Sequence, residues 1–213
     1  MKAMRITTRV LTAAALIAAT TSCGSVVRDG RSPVILVVDS VLGIRGAVAA
    51  GTATSSLNSD VFSIVTTGGS CSQATPCPTV FADNGQAGLH LALKDIGLPG
   101  ATTPAPSSNN SVTITRVRVS YRRTDGRNQE GVDVPFAFDT ASTATIPSTS
   151  TVTMGFPLVR VQAKQESPLV QLRTGAQVLS MIADVTFYGQ DLVGNAVSAT
   201  GSISIDFANF GDQ

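Results

Sequence analysis

The sequence has no tryptophan, a single histidine and few charged residues, which make up 14% of its 213 positions. One histidine cannot build a histidine-rich metal centre, and any histidine-dependent catalytic triad would have to use His90. A formal net charge of +1 provides no excess of basic residues for binding phosphate backbones, so we expect no nucleic acid partner. The 43% of hydrophobic residues suffices for a folded core, yet no apolar run reaches the roughly 20 residues of a membrane-spanning helix.

Motifs for catalysis and cofactor binding are also missing. The chain has no G-x-S-x-G nucleophile motif, no phosphate-binding P-loop and no G-x-G-x-x-G dinucleotide motif. Glu130 and Glu166 have no spacing that suggests paired acid and base chemistry. His90 falls on the polar side of an alternating pattern, which is typical of a surface or edge histidine. We therefore expect no catalytic activity, no cofactor and no bound metal.

The N-terminus has the pattern of an export signal. Basic residues within the first nine positions precede the apolar segment Val10–Ala19, which is too short to span a bilayer. Small residues then lead directly into Cys23. This arrangement resembles a bacterial lipoprotein signal, which implies a signal peptide over residues 1–22, lipidation of Cys23 and attachment to a membrane through that lipid. An ordinary secretory signal, cut nearby to leave a soluble protein, is the alternative.

The residues after Cys23 predict how the folded part is attached. Residues 23–32 are polar and glycine-rich, which is typical of a short tether. Gly24 after the cysteine resembles the outer-membrane pattern of bacterial lipoproteins and implies a periplasmic or surface-facing location in the cell envelope. Residues 33–213 form the predicted folded domain.

The other two cysteines, Cys71 and Cys77, can form a disulfide. Lipidation of Cys23 would leave them as one pair, in the sequence CSQATPC, and an exported protein meets an oxidising compartment. Their spacing differs from the C-x-x-C of redox motifs, and two thiols with one distant histidine are too few for a zinc site. We predict a structural disulfide that restrains one loop.

An apolar period of two predicts an all-β fold. Alternation is clear at Leu89–Leu93, Val117–Tyr121, Leu179–Phe187 and Ile203–Phe207, whereas Val34–Val38 is apolar throughout, as expected of a central strand or one covered on both faces. Weaker strand candidates are residues 61–66, 132–138, 151–154 and 158–163.

Turn signals separate these strands. Asn84-Gly85, Asp125-Gly126 and Gly194-Asn195 are turn dipeptides, and the proline-rich residues 97–110 predict a long loop. Short strands with such turns indicate one antiparallel β-sandwich with long loops, and a closed barrel of strands is the main alternative.

A resemblance to known domains begins at Phe187 and ends at Phe207. A strand, a D-x-x-G-N turn at Asp191, Gly194 and Asn195, and a second alternating strand resemble the last hairpin of bacterial immunoglobulin-like or fibronectin type III-like domains. The resemblance implies an immunoglobulin-like sandwich. It implies almost nothing about function, because such sandwiches serve many roles.

The loop DGRNQEGVD, residues 125–133, contains oxygen-bearing side chains that could bind calcium. Its spacing departs from the known D-x-[DN]-x-[DN]-G loop, and Arg127 occupies the place of a ligand. Solvated turn residues are the preferred interpretation.

Arg116, Arg118 and Arg122 lie on one parity of a predicted strand and form what we call the arginine stripe. Guanidinium groups suit bidentate contacts with carboxylates or phosphates, so the stripe is a candidate binding surface. An exposed strand face balanced by acidic neighbours is the alternative.

Together these features predict a lipid-anchored binding or structural module of the cell envelope, contacting protein or polysaccharide without catalysis. The alternative is a periplasmic carrier or assembly factor that holds an apolar ligand or a client protein.

Overall fold

The computed structural model describes residues 32–49, 51–94 and 108–211, and most of these residues form β-strands. The predicted signal peptide, Cys23, the tether up to residue 31 and residues 97–107 of the predicted loop lie outside the described residues. No helix in the described ranges is long and apolar enough to cross a membrane. The strands are β1 (Val34–Ile44), β2 (Ala53–Thr54), β3 (Ser56–Asp60), β4 (Ser63–Val65), β5 (Cys77–Thr79), β6 (Asp83–Leu93), β7 (Val112–Arg122), β8 (Phe138–Ile146), β9 (Val152–Val159), β10 (Leu179–Asp191) and β11 (Ala196–Ala208).

These strands form two larger sheets and one small sheet. The four-stranded sheet has the order β2-β1-β6-β9, the five-stranded sheet has the order β3-β11-β10-β7-β8, and β4 pairs with β5. The all-β prediction is confirmed. The structure departs from a purely antiparallel arrangement because β3 runs parallel to β11, with Leu57 opposite Ile205. Among the described residues, helical structure is limited to α1 (Val161–Gln165) and to 3-10 turns at Ser108–Asn110 and Leu169–Thr174.

The two larger sheets pack their apolar faces against one another. Phe156 of the four-stranded sheet meets Phe187 of the five-stranded sheet edge to face, with ring centroids 5.6 Å apart. Phe187, Phe207 and Leu89 are completely buried in the same cluster. The strands predicted from alternation therefore share one core, because each places one parity of side chains between the sheets.

Several strand predictions need correction. Residues 132–137 contain the end of a turn, an isolated bridge at Val134 and irregular backbone, and β8 begins only at Phe138. Residues 61–66 are interrupted at Val61 and Phe62, which separate β3 from β4. Of the candidates 151–154 and 158–163, residues 152–154 and 158–159 belong to one strand, β9, whereas Val161 begins α1. β1 lies between β2 and β6, as expected of a central strand, but it is not covered on both faces, since Ile35 remains 47% exposed.

Asn84-Gly85 was expected to form a turn, but both residues lie inside β6. Gly85 pairs with Phe156 on β9. A Cβ atom at Gly85 would lie 2.4 Å from the Phe156 ring, so glycine is required here for close packing rather than for a turn.

The turn between β10 and β11 follows the predicted D-x-x-G-N pattern. Gly194 has a φ of +86°, a conformation that side-chain-bearing residues rarely adopt. Asp191 Oδ1 accepts hydrogen bonds from the N–H groups of Val193 and Asn195. Burial alone would raise the pKa of Asp191, but hydrogen bonds from Asn195, Ser32 and Val193 hold it below its usual value. These hydrogen bonds and the Gly194 conformation together define the shape of the turn.

The predicted disulfide between Cys71 and Cys77 is present, with Cα atoms 5.5 Å apart. Cys77 begins β5, which pairs only with the short strand β4 among the described strands. The bond therefore restrains a peripheral loop and lies outside the core formed by the larger sheets.

Reduction of this disulfide should leave the β-sheet core intact. The closed ring is small, so its loss should lower the free energy of unfolding by no more than about 2 kcal/mol. Urea unfolding with and without reductant, followed by circular dichroism, measures this difference. Loss of the β signal on reduction alone would contradict the prediction.

Candidate functional site

The arginine stripe lies on the outer face of the five-stranded sheet. In β7, Val117, Val119 and Tyr121 are buried, whereas the alternating arginines point away from the core. Each of the three arginine side chains is 44–48% exposed. The alternation that buries one side of β7 thus places the stripe on the surface.

Acidic residues on the two neighbouring strands contact the stripe. Asp139 on β8 accepts hydrogen bonds from Arg116 at 2.9 Å and from Arg118 at 2.8 Å. Asp184 on β10 accepts a hydrogen bond from Arg122 at 2.6 Å. Acidic neighbours therefore neutralise part of the stripe's charge, as the alternative from sequence expected. Because two arginines share Asp139, positive charge is in excess around it.

Hydroxyl and aromatic groups extend this polar face across β10 and β11. The Arg116 guanidinium lies 3.8 Å from the centre of the Tyr188 ring, and Thr186 and Thr200 hydroxyls are 2.9 Å apart. Ser202 donates a hydrogen bond to Asp184. The sheet presents a continuous surface of guanidinium, carboxylate and hydroxyl groups.

In residues 125–133, considered from sequence as a possible calcium loop, side-chain oxygen atoms accept hydrogen bonds from residues in or next to the loop. Arg123 and Arg127 donate to the Asp125 carboxylate and hold its pKa well below the usual range. Asn128 accepts a hydrogen bond from the Arg123 N–H, and Asp133 accepts one from the Gln129 N–H. In the described part of the chain no group of three or more metal-ligating side chains is assembled.

His90 lies on the outer face of β6 and contacts a carboxylate. Its Nδ1 is 2.7 Å from Asp39, and both side chains are 37% exposed. Ser148 and Ser150 line the same shallow pocket. His90 is thus the surface histidine that the alternation predicts.

The sequence analysis missed a buried ion pair between Lys164 and Asp83. Both side chains are completely buried, and Lys164 Nζ lies 2.7 Å from Asp83 Oδ2. Lys164 also donates a hydrogen bond to the backbone carbonyl of Asp60 at 2.8 Å. Burial lowers the pKa of Lys164, and the Asp83 charge opposes this shift.

Hydrogen bonds satisfy the remaining oxygen atoms of this cluster. Asp83 accepts hydrogen bonds from the Gly46 N–H at 2.8 Å and the Ser59 hydroxyl at 2.6 Å. Asp60 accepts hydrogen bonds from Arg45 at 2.9 Å and the Ser63 hydroxyl at 2.8 Å. Since Asp83 begins β6 and Asp60 ends β3, the cluster joins the two larger sheets through α1.

A groove of about 400 Å³ lies beside this cluster, between residues 45–49 and strand β4. Val48, Ile64 and Phe81 contribute apolar side chains, and Val48 is 62% exposed. The groove is open to solvent, and its lining residues are not among the buried residues of the core between the larger sheets.

The tip of the β10–β11 turn carries two exposed apolar side chains. Leu192 is 61% exposed and Val193 is 79% exposed. The sequence contains a signal for them, because two apolar residues within a D-x-x-G-N turn have no core to enter.

Searches against protein-family models, curated proteins and solved structures found no match to this chain. The immunoglobulin-like resemblance therefore depends on the residues of the β10–β11 hairpin alone.

Proposed function

We propose that this protein is a lipid-anchored module of the cell envelope that works by binding protein or polysaccharide, without catalysis. The observation that carries the proposal is the outer face of the five-stranded sheet, where Arg116 and Arg118 share one carboxylate. The export signal ending at Cys23 supports the location. A module held at a membrane gains from weak, repeated contacts, because anchoring raises its effective concentration.

Pairing with Asp139 does not prevent the stripe from binding a partner. Ion pairs between exposed side chains contribute only about 0–1 kcal/mol, so a partner group can replace Asp139 at small cost. Arginine binds carboxylates and phosphates through two parallel hydrogen bonds, which favours an anionic protein or polysaccharide as that partner.

The finer fold assignment is part of the same proposal. The two larger sheets form an immunoglobulin-like β-sandwich whose last hairpin is β10–β11. The edge-to-face packing of Phe156 on Phe187 across the sheets supports this assignment.

Substitution of Cys23→Ala should release the protein from membranes or stop its processing, because it removes the thiol that would carry the proposed lipid anchor. Membrane fractionation and the intact mass of the mature protein measure this effect. An unmodified Cys23 in mature protein would contradict lipid anchoring.

Charge reversal of the stripe should abolish retention of an envelope partner. Arg116→Glu with Arg118→Glu places two more carboxylates beside Asp139 and removes the guanidinium groups. Crosslinked pull-down from the protein's own envelope measures retention, and urea unfolding checks stability separately.

Two matched variants make this experiment specific. Arg127→Glu makes the same arginine-to-glutamate exchange at one site in the 125–133 loop, where the side chain is 64% exposed, and should not alter retention. Asp139→Asn keeps the arginines and removes their acceptor charge, so retention of an anionic partner should persist or increase. Unchanged retention by the double charge reversal would remove the stripe from consideration.

A second candidate function is that of a carrier for an apolar ligand. The groove with Val48, Ile64 and Phe81 favours it. Mass spectrometry of an organic extract from the purified protein distinguishes the two, since only a carrier would release a bound apolar molecule.

A further inference from the structure

The exposed tip of the β10–β11 turn lies where the chain approaches its tether. Ser32 is the first described residue, and its hydroxyl hydrogen-bonds to Asp191, which begins the turn. The Pro33 carbonyl accepts a hydrogen bond from the Lys94 N–H. Leu192 and Val193 therefore occupy the end of the domain at which residue 32 is fixed.

The tether length keeps this end near any membrane that holds Cys23. Ser32 lies nine positions after Cys23, and nine residues of chain reach at most about 32 Å even when fully extended. The opposite end lies farther away by the length of β10, whose 13 residues extend about 40 Å. The β10–β11 turn is thus among the parts of the domain closest to the bilayer.

The end of the domain with the β10–β11 turn also differs from the opposite end in the residues that it exposes. Beside the exposed tip, the β8–β9 connection has the uncharged sequence PSTST at residues 147–151. At the opposite end, exposed Val132 and Phe136 adjoin a loop that contains Arg127, Glu130 and Asp133. Exposed apolar side chains beside this uncharged connection suit the lipid interface, and the exposed Lys94 at the same end suits its headgroups, whereas the loop with both signs of charge suits water.

We propose that Leu192 and Val193 insert into the interface of the bilayer that carries the lipidated Cys23. This inference rests on the proposed lipid anchor and adds a second contact between protein and membrane. The contact fixes the orientation of the domain relative to the bilayer. The β10–β11 turn faces the lipid, and the charged 125–133 loop faces away from it.

The absence of tryptophan allows a direct test with a single introduced fluorophore. Full-length lipidated protein carrying Leu192→Trp is reconstituted into vesicles of phosphatidylethanolamine and phosphatidylglycerol, with or without bromine on the acyl chains. Insertion predicts blue-shifted emission and loss of most of it in the brominated vesicles. Val132→Trp, at a comparably exposed position, is the matched control and should keep its emission.

Two additions separate insertion from other results. Adding Val193→Asp to Leu192→Trp should reduce the quenching, since a carboxylate resists transfer into lipid. Flotation of the vesicles reports anchoring independently of the fluorophore.

The outcomes distinguish the inference from the proposed function. Flotation with equal quenching at both positions, or with none at Leu192→Trp, would overturn insertion and leave the anchor standing. Blue-shifted but unquenched emission would show that protein, such as a second copy, covers the tip, and would also overturn insertion. Absence of flotation would overturn both the anchor and the inference.

Discussion

Lys164→Met should lower the free energy of unfolding by about 3–5 kcal/mol, because it leaves the buried Asp83 carboxylate without its cation. Methionine keeps most of the length of the lysine stem, so the loss reports the missing charge rather than a cavity. The carbonyl of Asp60 also loses its hydrogen bond from Lys164. Urea unfolding of the purified domain measures the change.

The only other lysine beyond the predicted signal provides a matched control. Lys94 is exposed, and Lys94→Met should change stability by less than about 0.5 kcal/mol. Replacing the whole pair, by Lys164→Met with Asp83→Leu, should cost less than Lys164→Met alone, because no unpaired charge remains buried. A loss below about 1 kcal/mol for Lys164→Met would show that water reaches the cluster.

Phe187→Ala should destabilise the fold by a comparable amount, about 3–5 kcal/mol. The ring is completely buried between the larger sheets and packs edge to face on Phe156. Its removal loses apolar burial and opens a cavity that the surrounding strands can close only in part. Phe207→Ala removes a ring that is equally buried and should behave alike.

Val178→Ala is the control for these core substitutions. Val178 is 58% exposed just before β10, so its truncation should change stability by less than about 0.5 kcal/mol. Equal denaturation midpoints for Phe187→Ala and Val178→Ala would contradict the observed core. Predominantly helical circular dichroism of the native protein would contradict the fold class itself.

The strands that could be predicted have one buried face and one solvent-exposed face. β7, β10 and β11 bury alternate residues, and their sequences show the matching alternation of apolar and polar residues. β8 escaped detection because its interior residues DTASTAT are small or polar on both faces, and only Phe138 and Ile146 are buried. β9 was divided in two because it contains Pro157, which an edge strand tolerates.

The candidate sites also differ in how much of them the sequence predicts. The arginine stripe follows from local alternation, so its placement on one face could be predicted from β7 alone. Its partners Asp139 and Asp184 depend on which strands flank β7, and sequence spacing does not contain that information. The Lys164–Asp83 pair joins residues from distant segments, and an isolated lysine in a sequence resembles a solvated one.

The parallel pairing of β3 with β11 has a consequence for the order of folding. Leu57 lies opposite Ile205, so more than half of the chain separates the two partners. In a polypeptide that emerges N-terminus first, β3 cannot pair until residues 196–208, which form β11, have been made. The pairing of β10 with β11 requires the same residues. Such long-range pairing folds slowly, since a large loop must close before the contact forms. The five-stranded sheet thus closes late in synthesis, and most of the chain is made before its last strand is available for pairing.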